Sequence, residues 1–355
     1  YLSFRKSLFE NDVSFDSKVF NFPVDFSDSV FNGDASFNNV IFNGDVKFTR
    51  TEFKKNAYFN KKNKIAKEKF NPGFHKKALF NKAIFHNRAY FHNQFFSGEV
   101  TFKLSDIHTL ILDGSRFEKQ VPDFRYAEIK NPPSLSDIRI PGFLDENRHN
   151  VERYRKLKEM AIGASNYKKE IEFFSFELDA ERSRLLQVTK DKIAENKKLC
   201  PLEGGWEYLK ILPYYIYKFF SNYGQSISKP SFYLIVIWIF FGFSIFLVTP
   251  DEIEHSDALS QAKRASVLQL NRSYDCSPLH KNPGKKLGYS MHYAAQVLYP
   301  IQLGTDQERE KVVFCLLHDE VPSFGLKFAE AFIKALGLIL FFLLGLGIRN
   351  RFKIK

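Results

Sequence analysis

The sequence predicts a mixed architecture: a four-sided β-solenoid over residues 1–130, a helical connector over 131–200, and two transmembrane helices in the remainder. Three observations carry this. Phe recurs in steps of five and six through the first third of the chain. A Glu- and Lys-rich stretch then places apolar residues at helical spacing, and two apolar runs of eighteen residues follow.

Forty Phe in 355 residues indicate one side chain reused at equivalent positions. They stand at Phe15, Phe20, Phe26, Phe31, Phe37, Phe42, Phe48, Phe53 and Phe59, then at Phe80, Phe85, Phe91, Phe96 and Phe102, an eleven-residue period made of five plus six. That period fits neither a helix, near 3.6, nor a simple strand, at 2. The residue two before each Phe is mostly small: Val24, Ser29, Ala35, Val40, Val46, Thr51 and Ala57, with Lys18 a misfit. Flat sides follow, each sending a Phe and a small residue inward, while Asn, Gly, Asp and Lys turn the corners. Two eleven-residue units close one turn, and at ~4.8 Å per turn 130 residues give about six coils. Residues 61–79 break the rhythm with a Lys-rich insertion, and Asn71-Pro72-Gly73 reads as a turn within it.

The segment VPDFRYAEIKNPPSL (121–135) has the Pro and turn chemistry of a boundary. Beyond it, Val151, Tyr154, Leu157 and Met160 share one helical face, and a break at Ser165-Asn166 implies a pair of helices. Phe173, Phe174, Phe176 and Leu178 give the second helix an apolar side suited to capping an open solenoid end. Residues 201–249 hold WEYLKILPYYIYKFFSNY (206–223), read as an interfacial helix, and a first span at 231–248. A loop over 250–327 includes YSMHYAAQVLYPIQLGTD (289–306), read as a re-entrant or interfacial helix. The second span, 331–348, lies in the closing segment 328–355 with its basic tail. Lys210, Lys218 and Lys229 precede the first span and Arg349, Arg351, Lys353 and Lys355 follow the second, whereas residues 249–257 carry four acids and no Lys or Arg. The positive-inside rule therefore puts both ends in the cytoplasm, with the basic flanks near anionic lipid.

The segment FNGDASFNNVIFNGDVKF (31–48) resembles Phe-centred pentapeptide repeats, which implies a right-handed quadrilateral β-helix. With RKLKEMA (155–161), EFFSFELDAER (172–182), SNYGQSISKP (221–230) and LGLGIRNRFKIK (344–355), the whole chain resembles a family of bacterial inner-membrane pentapeptide-repeat proteins. The resemblance implies a location in the bacterial inner (cytoplasmic) membrane and a topology, without a catalytic mechanism. Some pentapeptide-repeat proteins are thought to mimic duplex DNA with a uniformly acidic surface. Here residues 1–45 carry net −4 and residues 46–130 net +10, so this rod departs from that pattern.

The functional expectation is a membrane-anchored scaffold whose solenoid meets a cytoplasmic protein partner, with homo-oligomerisation left open. The alternative is a two-span, channel-like protein with a degenerate pore loop at 289–306. A potassium filter needs two Gly in Thr-x-Gly-x-Gly, and Ile301-Gln302-Leu303-Gly304-Thr305-Asp306 has one. No phosphate loop, nucleophile elbow or acid pair appears, and His75, His86 and His92 lack the further ligands that a metal site requires. No enzyme and no cofactor are expected. Nucleic-acid binding through the Lys run at 61–77 is a weak third reading, because lipid attraction explains the charge more simply. Cys276 and Cys315 both fall in the extracytoplasmic loop and are read as a disulfide, with Cys200 on the reducing side.

Overall fold

The computed structural model describes residues 1–61, 72–142, 149–195, 208–248, 283–299 and 324–352. The chain divides into two units, Tyr1–Tyr215 and Ile216–Lys355.

The first unit opens with a parallel β-solenoid. Most of its strands are two residues long, and each pairs in register with the strand one coil away: Leu2 with Val24, Val24 with Val46, Phe31 with Phe9 and Phe53. Four ladders result, and the longer strand Ile84–Tyr90 carries two of them round a corner into one sheet. On the first side, Phe4, Phe26, Phe48, Phe80, Phe102 and Phe124 stack face to face with centroids 4.7–5.0 Å apart. Those six rings count about five turns. Rings on opposite sides meet edge to face across the interior, as Phe26 and Phe37 do at 5.5 Å and 80°. Each buried ring contributes roughly 1.5–3 kcal/mol by leaving water. Phe15 and Phe20, in the first coil, are half-buried, and the other twelve Phe of the predicted set are at most 1% exposed.

The alternation of five and six has a backbone cause. Every five-residue side that starts from Phe4, Phe15, Phe26, Phe37, Phe48, Phe80, Phe91, Phe102 or Phe124 turns its corner with a left-handed residue two places on: Lys6, Ser17, Asp28, Asn39, Arg50, Lys82, Asn93, Leu104 and Tyr126, φ +53° to +63°. Six-residue sides spend an extra residue instead and have no such corner. A left-handed non-Gly residue costs roughly 1–2 kcal/mol, so an exposed corner such as Leu104 stores strain that glycine would relieve. Leu104→Gly is expected to raise solenoid stability by about 1 kcal/mol, while Leu104→Val lowers it by a similar amount; opposite shifts of the urea midpoint would show this, and shifts of one sign would refute it.

Two sequence expectations change here. Gly73, read as part of a turn, lies in a strand: it pairs with Ile41, and Phe74 stacks between Phe42 and Phe96. A Cβ at Gly73 would stand 2.5 Å from the Phe95 carbonyl oxygen at φ +152°, so the position admits little else. The stretch 121–135, read as a boundary, is a further coil, with Thr101 bridging Asp123, Asp106 pairing Glu128, and Arg116 bridging Arg139. The solenoid thus runs about ten residues past 130, because Ile107, Leu112, Leu135 and Ile140 take over the Phe positions. On the second side Ile107 is followed after only five residues by Leu112, and strand Asp106–Ile111 absorbs the missing residue as a register shift against Ile84–Tyr90.

Helices α1 (Asn150–Gly163) and α2 (Tyr167–Glu195) form the expected pair. Val151, Tyr154, Leu157, Met160 and Phe173 join one core with Phe124, Leu135 and Ile138, so the pair closes the last coil. Tyr154 Oη donates to the Pro141 carbonyl at 2.9 Å. Helix α3 (Leu212–Ser221) contains the division between the units. The second unit is built from α4 (Ser228–Val248), α5 (Pro283–Leu298) and α6 (Phe324–Arg351); α4 and α6 are long and apolar enough to cross a membrane.

Candidate functional site

In the second unit, α4 and α6 run antiparallel: Asn350 Nδ2 donates to the Gly224 carbonyl at 3.1 Å, and the Gly347 Cα faces the Ser226 carbonyl. Helix α5 packs against both, antiparallel to α4 and parallel to α6. Near its start, the Lys286 ammonium lies 5.1 Å from the centre of the Phe246 ring. Midway, Trp238 Nε1 donates to the Met291 carbonyl at 2.9 Å, and Tyr293 Oη donates to Glu330. At its end Leu298 packs with Leu234 and Leu340, and Tyr299 meets Phe341 at 5.2 Å. At 1.5 Å per residue, Leu234 lies ~21 Å from the end of α4, and Leu340 ~24 Å from the start of α6. Helix α5 therefore penetrates deep between the two apolar helices from the end where α4 stops and α6 begins.

Sequence reasoning placed a re-entrant or interfacial helix here without its partners. It missed Tyr293–Glu330 and Trp238, which become visible only when three segments meet. Two glycines mark the approach: a Cβ at Gly242 would sit 2.5 Å from Met291 Sδ, and one at Gly337 2.5 Å from the Leu298 carbonyl oxygen. Residues 300–306, which complete the pore-loop reading, and Cys200, Cys276 and Cys315 lie outside the described residues.

On the solenoid, corner amides are satisfied by side chains of the coil below. Asp12 accepts from the Asp34 amide at 2.8 Å, Asp34 from Asn56 at 2.9 Å, Asp16 from Asn38 at 2.7 Å and Asn60 from His92 at 2.9 Å. Inward hydroxyls return to backbone carbonyls, Thr51 to Phe26 at 2.8 Å and Ser105 to Phe102 at 2.6 Å. These bonds leave the rod with flat walls.

A family model described as pentapeptide repeats (9 copies) matches residues 19–61. Comparison with curated proteins and with solved structures gives no match. The pentapeptide stretch covers Phe20 to Phe59, the part of the rod where the rhythm is unbroken. No catalytic family accompanies it.

His75, His86 and His92, considered together from the sequence, separate on the solenoid. His86 Nε2 lies 2.7 Å from Glu52 Oε1, the His92 ring lies beside Tyr90, and His75 approaches Phe95. Among the described residues no group of three or more His, Cys, Asp or Glu could hold a metal ion. The concentrated charge chemistry sits under the cap, where buried Asp123 is bound by Arg125 at 2.8 Å and approached by Arg153 at 3.5 Å. Burial alone would raise Asp123, yet hydrogen bonds from Arg125 and the charge of Arg153 hold its carboxyl below the usual value. Arg125 is raised in turn, chiefly by its bond to Asp123. Arg153 also donates to the Val121 carbonyl at 3.1 Å, so this cluster ties α1 to the last coil. Asp123 is 3% exposed and its carboxylate is committed to these two cations, which gives the cluster a structural role.

Proposed function

We propose that this chain is a multi-pass protein of the bacterial inner membrane, with both ends cytoplasmic, whose solenoid is a non-catalytic scaffold for a protein partner. The observation that carries the reading is the apolar surface that α4 and α6 leave uncovered. Phe232, Ile235 and Phe240 on α4 and Phe328, Phe332 and Phe342 on α6 are all more than half exposed. Water would penalise that surface by ~25 cal/mol per Å2, and a hydrocarbon layer removes the penalty. Helix α3 adds an exposed stripe of Leu212, Tyr215, Ile216 and Phe219 at helical spacing, suited to lie at a headgroup boundary. The basic flanks at Lys210, Lys218, Lys229, Arg349 and Arg351 favour the cytoplasmic face and its anionic lipid. Reporter fusions after Lys355 and within 255–285 are expected to report opposite compartments; the same compartment from both would reject two spans.

A second reading has its own support. The depth of α5 between α4 and α6 gives the helix, re-entrant helix, helix order of a two-span channel, and makes a channel-like ancestry or pore a concrete alternative. Potassium efflux from vesicles holding the full chain would favour it, and tight vesicles would leave the scaffold.

A further inference from the structure

The third side of the solenoid carries five rows in register, Asp12-Ser14-Asp16, Asp34-Ser36-Asn38, Asn56-Tyr58-Asn60, Arg88-Tyr90-His92 and Thr109-Ile111-Asp113, with the Asn38 side chain buried and the others at least partly exposed. Charge on this side is segregated. The carboxylates of Asp12, Asp16 and Asp34 fill the first two rows, and among the described residues none has a salt-bridge partner. The Arg88 side chain, exposed in the fourth row, bonds among the described residues only the Tyr90 hydroxyl, at 3.3 Å. The second side differs: there Glu52 takes Lys54 and His86, and Asp106 takes Lys130, so its charges cancel locally. Between the two charged halves of the third side, the Tyr58 and Tyr90 rings stack at 5.0 Å with a 7° tilt, and both are half-buried.

We infer that this side pairs with the same side of a second copy, the two rods antiparallel. A two-fold axis lying in the interface across the rod, between the second and third rows, brings row one of each copy to row four of the other. Each column then meets itself: Asp12 faces Arg88, Ser14 faces Tyr90, Asp16 faces His92, and Ser36 faces Tyr58. Charge selects this register. Parallel rods would set Asp12 of each copy against Asp16 of the other, and an antiparallel pairing moved to a centre on row three would set Asp12 against Thr109 and Asp16 against Asp113. Tyr58 then lies next to the two-fold axis and the Asp12–Arg88 pairs close the two ends, and Tyr and Arg are among the side chains that dominate protein contacts. Four rows ~4.8 Å apart bury on the order of 600 Å2 in total, below the ~1,200 Å2 of stable complexes. The pairing rests on the membrane reading for its strength, because anchoring two copies in one bilayer raises their effective concentration.

The test uses the full chain reconstituted in vesicles of phosphatidylethanolamine and phosphatidylglycerol, as two differently tagged forms, Ser14→Cys and Tyr90→Cys. Mild oxidation is expected to link the two tags at least about tenfold more than it links Ser14→Cys to itself or than it links wild-type chains through their native cysteines. Arg88→Glu is expected to remove the link, and Arg88→Glu combined with Asp12→Lys in the same chain to restore it, with thermal melts confirming that each variant is folded. Links between like tags, absence of the mixed link, or no restoration by the double reversal would overturn the pairing. Flotation of the same vesicles separates the two readings: a chain that links but does not float refutes the anchor alone, and one that floats without linking refutes the pairing alone.

Discussion

Phe42→Asp is expected to unfold the solenoid. Phe42 is 1% exposed and lies between the rings of Phe20 at 5.2 Å and Phe74 at 5.0 Å. Removing a buried Phe costs about 3–5 kcal/mol through lost transfer energy and the cavity left behind. A carboxylate placed there has no cation in reach, which adds a desolvation cost of several kcal/mol more. Each coil contacts only its neighbours, so a broken layer at Phe42 separates the coils on either side and the loss spreads. Phe22→Asp is the control, since Phe22 is 69% exposed and its replacement is expected to stay within about 0.5 kcal/mol. Thermal melts of the two variants should differ by a collapsed transition against an unchanged one; a stable Phe42→Asp protein would show that the ring does not point inward.

Asp123→Ala is the second large effect. It leaves the buried guanidinium of Arg153 without a carboxylate, while half-buried Arg125 keeps Glu152 at 3.0 Å, and breaking a buried pair from one side costs about 3–5 kcal/mol. Detachment of α1 from the last coil should follow, seen as early loss of Tyr154 near-ultraviolet signal. The pH dependence has a fixed sign. Asp123 is held below its usual value in the fold, so its contribution is present above the ordinary carboxylate pKa of ~3.9 and is lost as pH falls through the depressed value. The cap should therefore survive acidification to about pH 4 and loosen only below it. Asp123→Asn, which cannot titrate, should remove that acid-dependent step and sit at the lower stability throughout.

What could be read from the residues alone depended on whether a signal repeated. The Phe steps from Phe15 to Phe59 announced the coil because one bulky side chain returns where each side needs it. The same fold went unread past residue 130, where Leu135 and Ile140 do the same job without the ring, and where Pro122, Pro132 and Pro133 make 121–135 look like a linker. Phe74 was hidden because the insertion moved it out of phase. The helix pair followed from spacing, but Arg153 sits on the apolar face of α1 and its partner Asp123 stood in the misread coil. The two apolar helices were legible from length, whereas the depth of α5 depends on close approach at Gly242 and Gly337, which no local pattern encodes. Nothing periodic marks the third side either; its rows align only after the coil is wound.

The anchor is the claim on which the rest depends, and flotation after an alkaline carbonate wash tests it most directly. The full chain, expressed in a bacterium, should float with the inner-membrane vesicles after the wash, and a chain ended before Ile216 should stay with the soluble fraction. Release of the full chain by carbonate would contradict the account, since α4 and α6 would then have their apolar faces covered by protein rather than lipid.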